Sequence, residues 1–480
     1  MAHAFSRRSF LKRAAVVAGA AALRGPYVMA DPAPNSRLNC VVVGCGRRGG
    51  EEHIGSAARE KIVAFVDVDE NNCRRALNWI SDKGILQKYK LPEQDTSKIR
   101  TYADLRKLLD EMHKDVDAVF IATPDHSHAW LALAAMKAGK HVYCEKPLTY
   151  DIHESRLLAE AARKYKVVTQ MGNQGHASEH ARRFCEYIAA GAIGPVTETH
   201  SWRGIQYKGG TRPPSKPVPK GLDWDLWIGP APFREYHDGL TNNGWLGWWD
   251  FAAAGMLGGW GHHVLDPVFF ALKPGLPTSV EMVDMVPGGP EGFPKMDLIR
   301  YDFPARGDMP PFKMFWYDGT KRGAPDAEGK EVEPESKKEH ANRPPIVEEL
   351  EKKYGRNFGD TGTIYVGEKG YMNTTGYGGS PRIVPEEKHK EFKSPEKTLP
   401  RVKEIFGDFI QACKGGTPPC SNFADYSGPF TEAMLVGKLA MKAGKGRKVE
   451  WDGANMKCAN MPELNAYVKR ECRKGWELSL

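Results

Sequence analysis

The first third of the chain alternates short apolar runs with amphipathic segments. Apolar runs predict strands over 38–43, 61–67, 118–122 and 141–144. The amphipathic segments predict helices over 51–59, 129–138 and 152–165. Because strand and helix follow one another regularly, we expect a parallel, doubly wound sheet in a first α/β domain that spans 37–170.

The pattern changes near residue 167. After a predicted helix over 179–190, strand-like runs follow in series at 196–202, 280–286, 312–317 and 363–373. Strands in series favour an antiparallel sheet, so we expect a second domain over 171–445. Predicted helices over 402–413 and 431–442 end this domain, and residues 446–480 are predicted to form a tail.

Two irregular insertions interrupt the second domain. The insertion over about 209–249 is rich in proline, glycine and tryptophan, and the insertion over about 321–357 is highly charged. A long, highly charged segment buries little apolar surface, so we expect 321–357 to be a mobile excursion on the surface.

Composition and charge narrow the range of functions. A chain of 480 residues with 41% hydrophobic content is long enough for two or three structural units. The formal net charge is +8, but five positive charges lie in the first thirty residues, which hold no acid, so the rest carries only +3. That balance gives little support for nucleic-acid binding. The nine cysteines form no C-x-x-C pair, and we expect no metal site.

The N-terminal segment is typical of an export signal. Residues 6–12, SRRSFLK, match the twin-arginine consensus, and a weakly apolar run over 14–23 leads to the small residues of a cleavage site at Val28-Met29-Ala30. The run is too short to span a bilayer. We therefore expect residues 1–30 to be a twin-arginine signal peptide and the protein to be periplasmic, or membrane-tethered if the signal is not cleaved. A disordered basic N-terminus is the alternative.

A glycine-rich turn follows the first predicted strand. The segment GCGRRG, residues 44–49, is a G-x-G-x-x-G whose glycines allow a tight turn, close approach of a pyrophosphate and close packing of helix on strand. Asp67 ends the second predicted strand, where an acid binds ribose hydroxyls and repels a 2'-phosphate, so NAD is favoured over NADP. The predicted cofactor contacts here are Gly44, Gly46, Arg47, Arg48, Gly49 and Asp67.

Two further motifs carry a resemblance to a known family. The segments ATPDHSH at 122–128 and AGKHVYCEKP at 138–147 are similar to those of the glucose-fructose oxidoreductase, inositol dehydrogenase and rhizopine catabolism (Gfo/Idh/MocA) family. LDWDLWIGP at 222–230, GWWDF at 247–251 and RKGWEL at 473–478 resemble an exported, twin-arginine branch of that family.

The resemblance implies a fold and a set of site residues. It implies a Rossmann domain followed by an α/β domain with a large open sheet, often used for oligomerisation, so we expect a homo-oligomer. Lys146 would lie beside the nicotinamide and the reacting hydroxyl. A lysine beside the cofactor's positive charge can have a lowered pKa and polarise a hydroxyl or carbonyl. The further cofactor contacts implied by the family are Glu145, Thr123, Pro124 and His128.

The resemblance also gives a meaning to the histidine pair in GGWGHH, residues 258–263. Family dehydrogenases carry a D-x-G-x-H motif whose acid and histidine complete a triad with the lysine. In this chain His263 falls on the histidine position, and Gly259 stands where the acid would be. A metal site and purely structural histidines are the alternatives, but we favour His263 as a proton shuttle. Asp250, His176 or His262 could replace the acid as its orienting partner.

Aromatic and amide side chains predict the substrate class. Tryptophans cluster in or beside the first insertion, and their rings would stack on sugar faces, although they could equally form the core of a flap. These tryptophans are Trp224, Trp227, Trp245, Trp248 and Trp249. Asn173 and Gln174 could bind hydroxyls, and the predicted substrate contacts are Asn173, His176, Trp248, Asp250 and His262.

These observations lead to one main hypothesis and two alternatives. The main hypothesis is an exported NAD(P)-dependent oxidoreductase that transfers hydride between its cofactor and a sugar or polyol. An exported enzyme meets no pool of free dinucleotide, so the cofactor must be tightly bound and released slowly. The alternatives are a redox-neutral glycosidase, lyase or epimerase that oxidises its sugar transiently, and a sugar-binding protein without turnover.

Overall fold

A computed structural model describes residues 37–320 and 341–480 of the protein. The predicted signal segment 1–30 and the stretch 321–340 of the predicted charged insertion lie outside the described residues. No helix in the described ranges is both long and apolar enough to cross a bilayer.

The first domain contains a six-stranded parallel sheet. Its strands are β1 Asn39–Val43, β2 Lys61–Val66, β3 Arg100–Tyr102, β4 Ala118–Ile121, β5 His141–Cys144 and β6 Thr169–Met171. The spatial order is β3-β2-β1-β4-β5-β6, and every neighbouring pair is parallel. This is the strand order of a dinucleotide-binding Rossmann fold, which confirms the predicted fold class. The switch point between β1 and β4 opens a crevice at the carboxyl ends of the strands.

Helices connect these strands and cover both faces of the sheet. The helices are Ile54–Ala57, Glu70–Ser81, Lys83–Tyr89, Leu105–Met112, Asp125–Lys137 and Ile152–Tyr165, with a π-helical turn at Gly49–His53 and short 3₁₀ turns at Thr96–Lys98 and His113–Asp115. Aspartate caps begin several of them; for example, Asp151 accepts a hydrogen bond from the backbone N–H of Glu154. These caps fix where each helix begins, and they hold the loops that follow the strand ends.

The second domain is built on a nine-stranded sheet. Its strands are β7 Val196–Arg203, β8 Ser279–Val286, β9 Met296–Phe303, β10 Phe312–Gly319, β11 Thr361–Gly367, β12 Gly370–Thr375, β13 Arg382–Val384, β14 Lys448–Asp452 and β15 Lys457–Cys458. The order is β13-β12-β11-β7-β10-β9-β8-β14-β15. Only the β7–β10 pair is parallel, so the predicted, mainly antiparallel sheet is confirmed.

Further helices pack on this sheet and on the first one. They are Glu179–Ala189, Trp224–Ile228, His262–Val264, Asp266–Leu272, Pro345–Tyr354, Glu386–Glu391, Ile405–Cys413, Gly428–Leu435 and Gly437–Ala443, with π-helical turns at Leu257–Gly261 and Phe423–Ser427 and 3₁₀ turns at Gln174–Ala177, Gly244–Gly247 and Pro462–Tyr467. The helix Ile405–Cys413 returns to the Rossmann sheet, where Phe406 stacks on Tyr143 with ring centroids 4.6 Å apart. The chain therefore crosses between the two sheets more than once.

Two local expectations differ from the structure. The run 363–373 is not one strand but the hairpin β11–β12, which turns at Glu368 and Lys369. The described part of the charged insertion is not irregular throughout, because it contains the helix Pro345–Tyr354. Val347 and Leu350 of this helix are buried in an apolar cluster with Trp202 of β7. Val347 and Leu350 are spaced as on one face of a helix, and this apolar spacing would have predicted the helix despite the charged composition of the segment.

The predicted tail is integrated into the fold. β14 pairs with β8 and extends the second sheet. Arg470 donates a hydrogen bond of 2.9 Å to Glu154 on the Rossmann helix Ile152–Tyr165, and its backbone N–H donates to Asp151. The last turn of the chain therefore lies against the first domain, close to the crevice between the sheets.

Candidate active site

A cleft of about 890 Å³ lies at the carboxyl ends of the Rossmann strands. The second domain closes one side of it through residues such as Tyr207, Trp245 and Gly259. The sequence-predicted residues among those that line the cleft are Gly44, Gly46, Arg47, Arg48, Asp67, Thr123, Pro124, His128, Glu145 and Lys146. The structure thus brings together residues from four separate parts of the sequence. A cleft at this edge of the sheet is where Rossmann folds bind dinucleotides.

The glycine loop has the geometry that a phosphate-binding turn requires. Gly44 has φ +83°, a conformation that favours glycine. A Cβ placed on Gly49 would lie 1.6 Å from the carbonyl oxygen of Gly44, so this glycine allows the helical turn to pack directly on the strand end. Gly49 is therefore a packing residue beside the cleft, whereas Gly44 and Gly46 line it.

Asp67 joins the end of β2 to the glycine loop. Its carboxylate accepts hydrogen bonds from the backbone N–H groups of Cys45 (2.7 Å) and Asp69 (2.9 Å) and from the side-chain amide of Asn72 (3.1 Å). Burial raises the pKa of Asp67, and these hydrogen bonds oppose the rise. Asp67 thus fixes the loop and lines the cleft at the position from which an acid reaches ribose hydroxyls.

Glu145 is held in place by several donors. Its Oε1 lies 3.1 Å from Arg48 Nε and 3.0 Å from His53 Nε2. Burial alone would raise the pKa of Glu145, but the His53 hydrogen bond and the positive charges of Arg48 and Lys146 hold it below its usual range. A Cβ on Gly172 would lie 2.7 Å from Oε1, so that glycine makes room for the carboxylate. Glu145 stays ionised and fixes the strand end that carries Lys146.

Lys146 presents a buried amine to the cleft. Its Nζ donates a hydrogen bond of 2.9 Å to the carbonyl oxygen of Gly259 in the second domain. Burial lowers the pKa of Lys146, although the negative charges of Glu145 and Asp125 oppose the shift. Burial also raises the pKa of Asp125 to about 7. A buried amine with a lowered pKa can exchange a proton with a substrate hydroxyl.

His128 holds two of the family motifs together. Its two ring nitrogens each lie 2.7 Å from a backbone carbonyl oxygen, one of Pro147 and one of Thr123. The helix Asp125–Lys137 thereby fixes the E-K-P segment against the T-P segment. His128 lines the cleft, but its polar atoms are already used in these contacts.

His263 is buried next to the cleft. It lies beside Tyr377, with ring centroids 4.6 Å apart, and its Nδ1 has no hydrogen-bond partner among the described residues. Burial and the charge of Lys146 lower the pKa of His263, so the ring is neutral. His263 is absent from the residues that line the cleft, so its proton-shuttle role stays a prediction.

The partners predicted for His263 have other contacts. The ring nitrogens of His262 lie 3.0 Å from Gly258 O and 3.0 Å from Thr431 Oγ1. Asp250 lies 3.2 Å from the guanidinium of Arg234. None of the predicted substrate contacts Asn173, His176, Trp248, Asp250 and His262 is among the described residues that line the cleft. His262 does not reach the cleft because its side chain is fully buried, and both of its ring nitrogens already have partners in the core.

Asn173 and His176 belong to a buried network around Asp266. Asp266 Oδ1 accepts hydrogen bonds from Asn173 Nδ2 (2.7 Å) and Tyr426 Oη (2.7 Å), and His176 Nδ1 lies 3.1 Å away. The His176 ring lies between Phe270 and Tyr426. Asn173 Nδ2 and His176 Nδ1 thus contact Asp266, and neither residue lines the cleft, so their predicted role in binding substrate hydroxyls stays a prediction.

The tryptophans divide into core and cleft residues. Trp224 and Trp227 stack with centroids 4.7 Å apart in a buried cluster, which supports the flap-core alternative for this pair. Trp227 also lines the cleft, as does Trp245. Trp248 packs under the guanidinium of Arg234 at 4.6 Å.

Three cleft residues carry no functional signal of their own in the sequence. Asp125 lies inside the ATPDHSH segment, but the motif implies roles only for its neighbours Thr123, Pro124 and His128. Tyr207 lies at the border of the first insertion, and Trp476 lies in the tail, where its ring packs on Trp130 with centroids 4.7 Å apart. Each reaches the cleft through tertiary packing. Within the described ranges no group of three or more His, Cys, Asp or Glu residues could hold a metal ion.

Comparison with known proteins agrees with this geometry in both domains. A family model described as an oxidoreductase family with an NAD-binding Rossmann fold (GFO_IDH_MocA) matches residues 38–173. A second, described as the oxidoreductase family's C-terminal alpha/beta domain, matches residues 192–291.

Curated relatives match shorter parts of the chain. Levoglucosan dehydrogenase of Pseudarthrobacter phenanthrenivorans is 34% identical over 116 residues, which are 24% of this chain and 28% of that protein. A glycosyl hydrolase family 109 protein of Shewanella amazonensis is 32% identical over 174 residues, which are 32% of this chain and 36% of that protein. The chain thus spans about a third of the length of these relatives.

Solved structures agree with the fold over most of the chain. An inositol dehydrogenase homolog from Azotobacter vinelandii, solved with NADH and myo-inositol, has a TM-score of 0.52 at 16% identity, over 87% of this chain and 98% of that one. Both domains of the present structure are matched by family models whose motifs meet in one cleft. The chain therefore matches the Gfo/Idh/MocA oxidoreductase family in both of its domains.

Proposed function

We propose that the protein is an NAD-dependent oxidoreductase that transfers hydride between a retained nicotinamide cofactor and a sugar or polyol. The observation that carries this proposal is the buried amine of Lys146, which lies in the same cleft as the glycine loop. The names of the relatives support the substrate class, because they include a levoglucosan dehydrogenase and a homolog solved with myo-inositol.

The cleft fits a dinucleotide. Gly44 and Gly46 line the cleft and leave little room for a side chain, since a Cβ would lie 2.8 Å from the carbonyl oxygen of Ala122 at Gly44 and 3.1 Å from Asn72 Nδ2 at Gly46. Arg47 and Arg48 add positive charge beside the turn. Asp67 would hold the ribose hydroxyls, and its charge disfavours a 2'-phosphate. A bound NAD would supply the hydride acceptor.

The residues of the chain would supply proton transfer and orientation. Lys146 would accept the hydroxyl proton in its neutral form and return it in the reverse direction. The Gly259 carbonyl oxygen fixes the amine at 2.9 Å. Glu145 fixes the adjoining backbone, because its carboxylate accepts a hydrogen bond of 3.4 Å from the backbone N–H of Lys146.

Contacts across the cleft mouth favour a slowly released cofactor. The backbone N–H of Asp223 donates to Val68 O (2.8 Å), and that of Glu70 donates to Gly221 O (2.9 Å), so the first insertion is joined to the end of β2. Trp476 of the tail lines the same cleft. A dinucleotide whose exit is covered by two chain segments leaves only when one of them opens, so we propose tight retention.

Removing the tail aromatic should accelerate cofactor loss. Trp476→Ala is expected to raise the rate of dinucleotide release by about tenfold, because the variant removes a large apolar side chain from the cleft wall. Nicotinamide fluorescence during exchange into cofactor-free buffer measures this rate. Tyr467→Ala is the matched control, since this tail aromatic is 40% exposed and does not line the cleft. Equal release rates in the two variants would argue against a role of the tail in retention.

Asp67 should determine the choice between NAD and NADP. Asp67→Asn is expected to reduce the discrimination against NADP by about tenfold, because the amide carries no charge to repel a 2'-phosphate. The ratio of the two dissociation constants, measured on stripped protein, checks this. Asp117→Asn is the control, because Asp117 also accepts a backbone hydrogen bond, 2.7 Å from Asn39 N, at the start of β1. An unchanged ratio in Asp67→Asn would contradict the role of the carboxylate.

We also propose export and self-association, on different grounds. The twin-arginine sequence at 6–12 supports export, and cell fractionation tests it. The face of the second sheet that packs against the helix Pro345–Tyr354 also carries Phe315, which is partly exposed and stacks on His200 with ring centroids 4.8 Å apart. Lys313 and Arg300 lie beside Phe315 on the same face. A sheet face with partly exposed aromatic residues can bury itself against a second copy, and sedimentation analysis tests this.

A redox-neutral reaction is the second candidate function. Gly259 stands where family dehydrogenases carry an acid, and one relative is named a glycosyl hydrolase family 109 protein. Such an enzyme would oxidise a hydroxyl transiently, so that the neighbouring C–H becomes acidic, and would end with its cofactor unchanged.

One incubation series separates the two candidates. Purified protein with its own cofactor is mixed with levoglucosan, myo-inositol, D-glucose and a set of glycosides, and both nicotinamide absorbance and products are followed. The oxidoreductase predicts lasting reduction of the cofactor with at least one polyol or sugar. A glycoside product without any lasting change in absorbance would favour the redox-neutral reaction instead. If no probe gave either a lasting change in absorbance or a glycoside product, both candidate functions would be contradicted.

A further inference from the structure

The space beside Gly259 is occupied by a tyrosine. A Cβ placed on Gly259 would lie 2.6 Å from Tyr207 Oη, 3.0 Å from its Cε2 and 3.2 Å from its Cζ. Real Cβ atoms essentially never approach a heavy atom to 2.6 Å, so the phenol would have to move. An acid at 259 and the phenol of Tyr207 therefore exclude each other in this arrangement, and glycine is the residue that admits the phenol.

Tyr207 also lies where the proposed chemistry takes place. Tyr207, Gly259, Lys146 and Asp125 all line the same cleft. The carbonyl oxygen of Gly259 holds Lys146 Nζ at 2.9 Å, so the phenol and the amine meet at one residue. Arg203, the last residue of β7 and four residues before Tyr207, places its guanidinium over the ring of Trp260, 4.0 Å from the ring centroid.

The phenol keeps its proton in this environment. Burial raises the pKa of Tyr207, and the nearby charge of Asp125 raises it further. A neutral phenol donates one hydrogen bond and accepts another. It therefore suits a position beside an oxygen atom that gains negative character during a reaction.

We propose that the hydroxyl of Tyr207 takes the place of the missing acid and donates a hydrogen bond to the reacting oxygen of the substrate beside Lys146. This inference rests on the proposed function and names a catalytic residue for it. The GGWGHH motif gives no indication of Tyr207, because this tyrosine lies about fifty residues earlier, at the border of the first insertion, and reaches the cleft only through tertiary packing.

The step balances with the groups already named. In the oxidation direction the substrate C–H bond would break, and a bound NAD would accept its hydrogen and electron pair as hydride. The O–H bond breaks, its proton passes to the neutral amine of Lys146, and the C=O bond forms. Tyr207 donates to this oxygen throughout and ends with its own proton in place.

The Tyr207→Phe variant tests the hydroxyl alone. We expect kcat for cofactor reduction by the most active of levoglucosan, myo-inositol and D-glucose to fall by about 10²-fold with little change in KM. We expect the affinity of the NADH-loaded protein for the same compound, measured by calorimetry, to fall about fivefold. Tyr236→Phe is the matched control, since this tyrosine packs at 5.2 Å on Trp224 and does not line the cleft.

The outcomes distinguish this inference from the proposed function. If wild-type protein reduces its cofactor and Tyr207→Phe does so equally fast with equal affinity, only the role of Tyr207 is overturned. If wild-type protein turns over none of the compounds, the proposed function is contradicted and the role of Tyr207 falls with it.

A second variant tests the geometric basis. Gly259→Ala places a methyl group against the phenol and should displace it, with a loss of kcat similar to that of Tyr207→Phe. In the Tyr207→Phe background the same alanine should lower kcat by less than threefold, because the hydroxyl is already gone. Full additivity of the two losses would show that Gly259 acts only through Lys146, and would overturn the proposal.

Discussion

Replacing Lys146 by methionine is expected to lower kcat for sugar oxidation by about 10³-fold while the dinucleotide stays bound. Methionine has a comparable length and apolar stem, but it has no amine to accept a proton and no donor for the Gly259 carbonyl oxygen 2.9 Å away. The substitution also removes a polar group whose charged form is disfavoured by burial, so folding should not suffer strongly. Single-turnover kinetics with the retained cofactor measure the loss directly.

The control for this variant is a lysine on the same domain. Lys137→Met changes an exposed side chain in the last turn of the helix Asp125–Lys137, away from the residues that line the cleft. It should leave both kcat and cofactor content unchanged. Turnover of Lys146→Met within threefold of wild type would show that another group takes the hydroxyl proton.

Gly49→Ala is expected to abolish stable dinucleotide binding. The new methyl carbon would lie 1.6 Å from the Gly44 carbonyl oxygen, so the phosphate-binding turn must open to admit it. Overpacking of this kind lowers the free energy of unfolding by about 1–3 kcal/mol, and the displaced turn no longer presents Gly44 and Gly46 to the cleft. We expect a loss of NAD affinity of at least about 10²-fold, measured by calorimetry alongside thermal unfolding.

Gly55→Ala provides the matched control six residues further on. Its Cβ would lie 3.5 Å from the nearest atom, Cη2 of Trp79, which is an ordinary contact. Alanine in the helix Ile54–Ala57 should be neutral or stabilising by up to about 1 kcal/mol. Equal NAD affinities in the two variants would contradict the tight-turn role of Gly49.

The sequence predicted the fold well where a single element carries a clear period. The runs that became β1, β2, β4 and β5 are buried along almost their whole length, and such apolar runs alternating with helices permit few other arrangements. The strands β3 and β6 have three residues each, too few to show a period. The hairpin at Glu368 and Lys369 lacks the Asn-Gly signal of a tight turn, so 363–373 resembled one strand.

The site was predictable to the extent that its residues follow local motifs. The glycine loop, Asp67 and the E-K-P lysine meet in one cleft, as the motifs indicated. The substrate contacts were less accessible, because hydrogen-bonding partners distant in sequence decide where a polar side chain points. Asn173 and His176 hydrogen-bond with Asp266, and His262 hydrogen-bonds with Thr431. Two adjacent histidines in a sequence therefore look alike, although in the structure both ring nitrogens of His262 have hydrogen-bond partners and Nδ1 of His263 has none among the described residues.

Gly259 shows most clearly what sequence alone leaves open. In the linear motif it is an absent acid, and an absent acid suggests weakened dehydrogenase chemistry. In the structure it is the opening that admits Tyr207 and the carbonyl that holds Lys146. Both facts depend on segments that are separated in the chain and brought together by packing of the second domain on the first.

The content of the cleft in native protein tests the central claim most directly. Protein purified under native conditions is denatured before and after incubation with levoglucosan, myo-inositol and D-glucose, and the released dinucleotide is identified by mass spectrometry. The proposed function predicts stoichiometric NAD or NADH whose redox state changes with at least one of these compounds. Protein that folds normally and releases no dinucleotide, or releases one whose redox state no sugar or polyol changes, would contradict it.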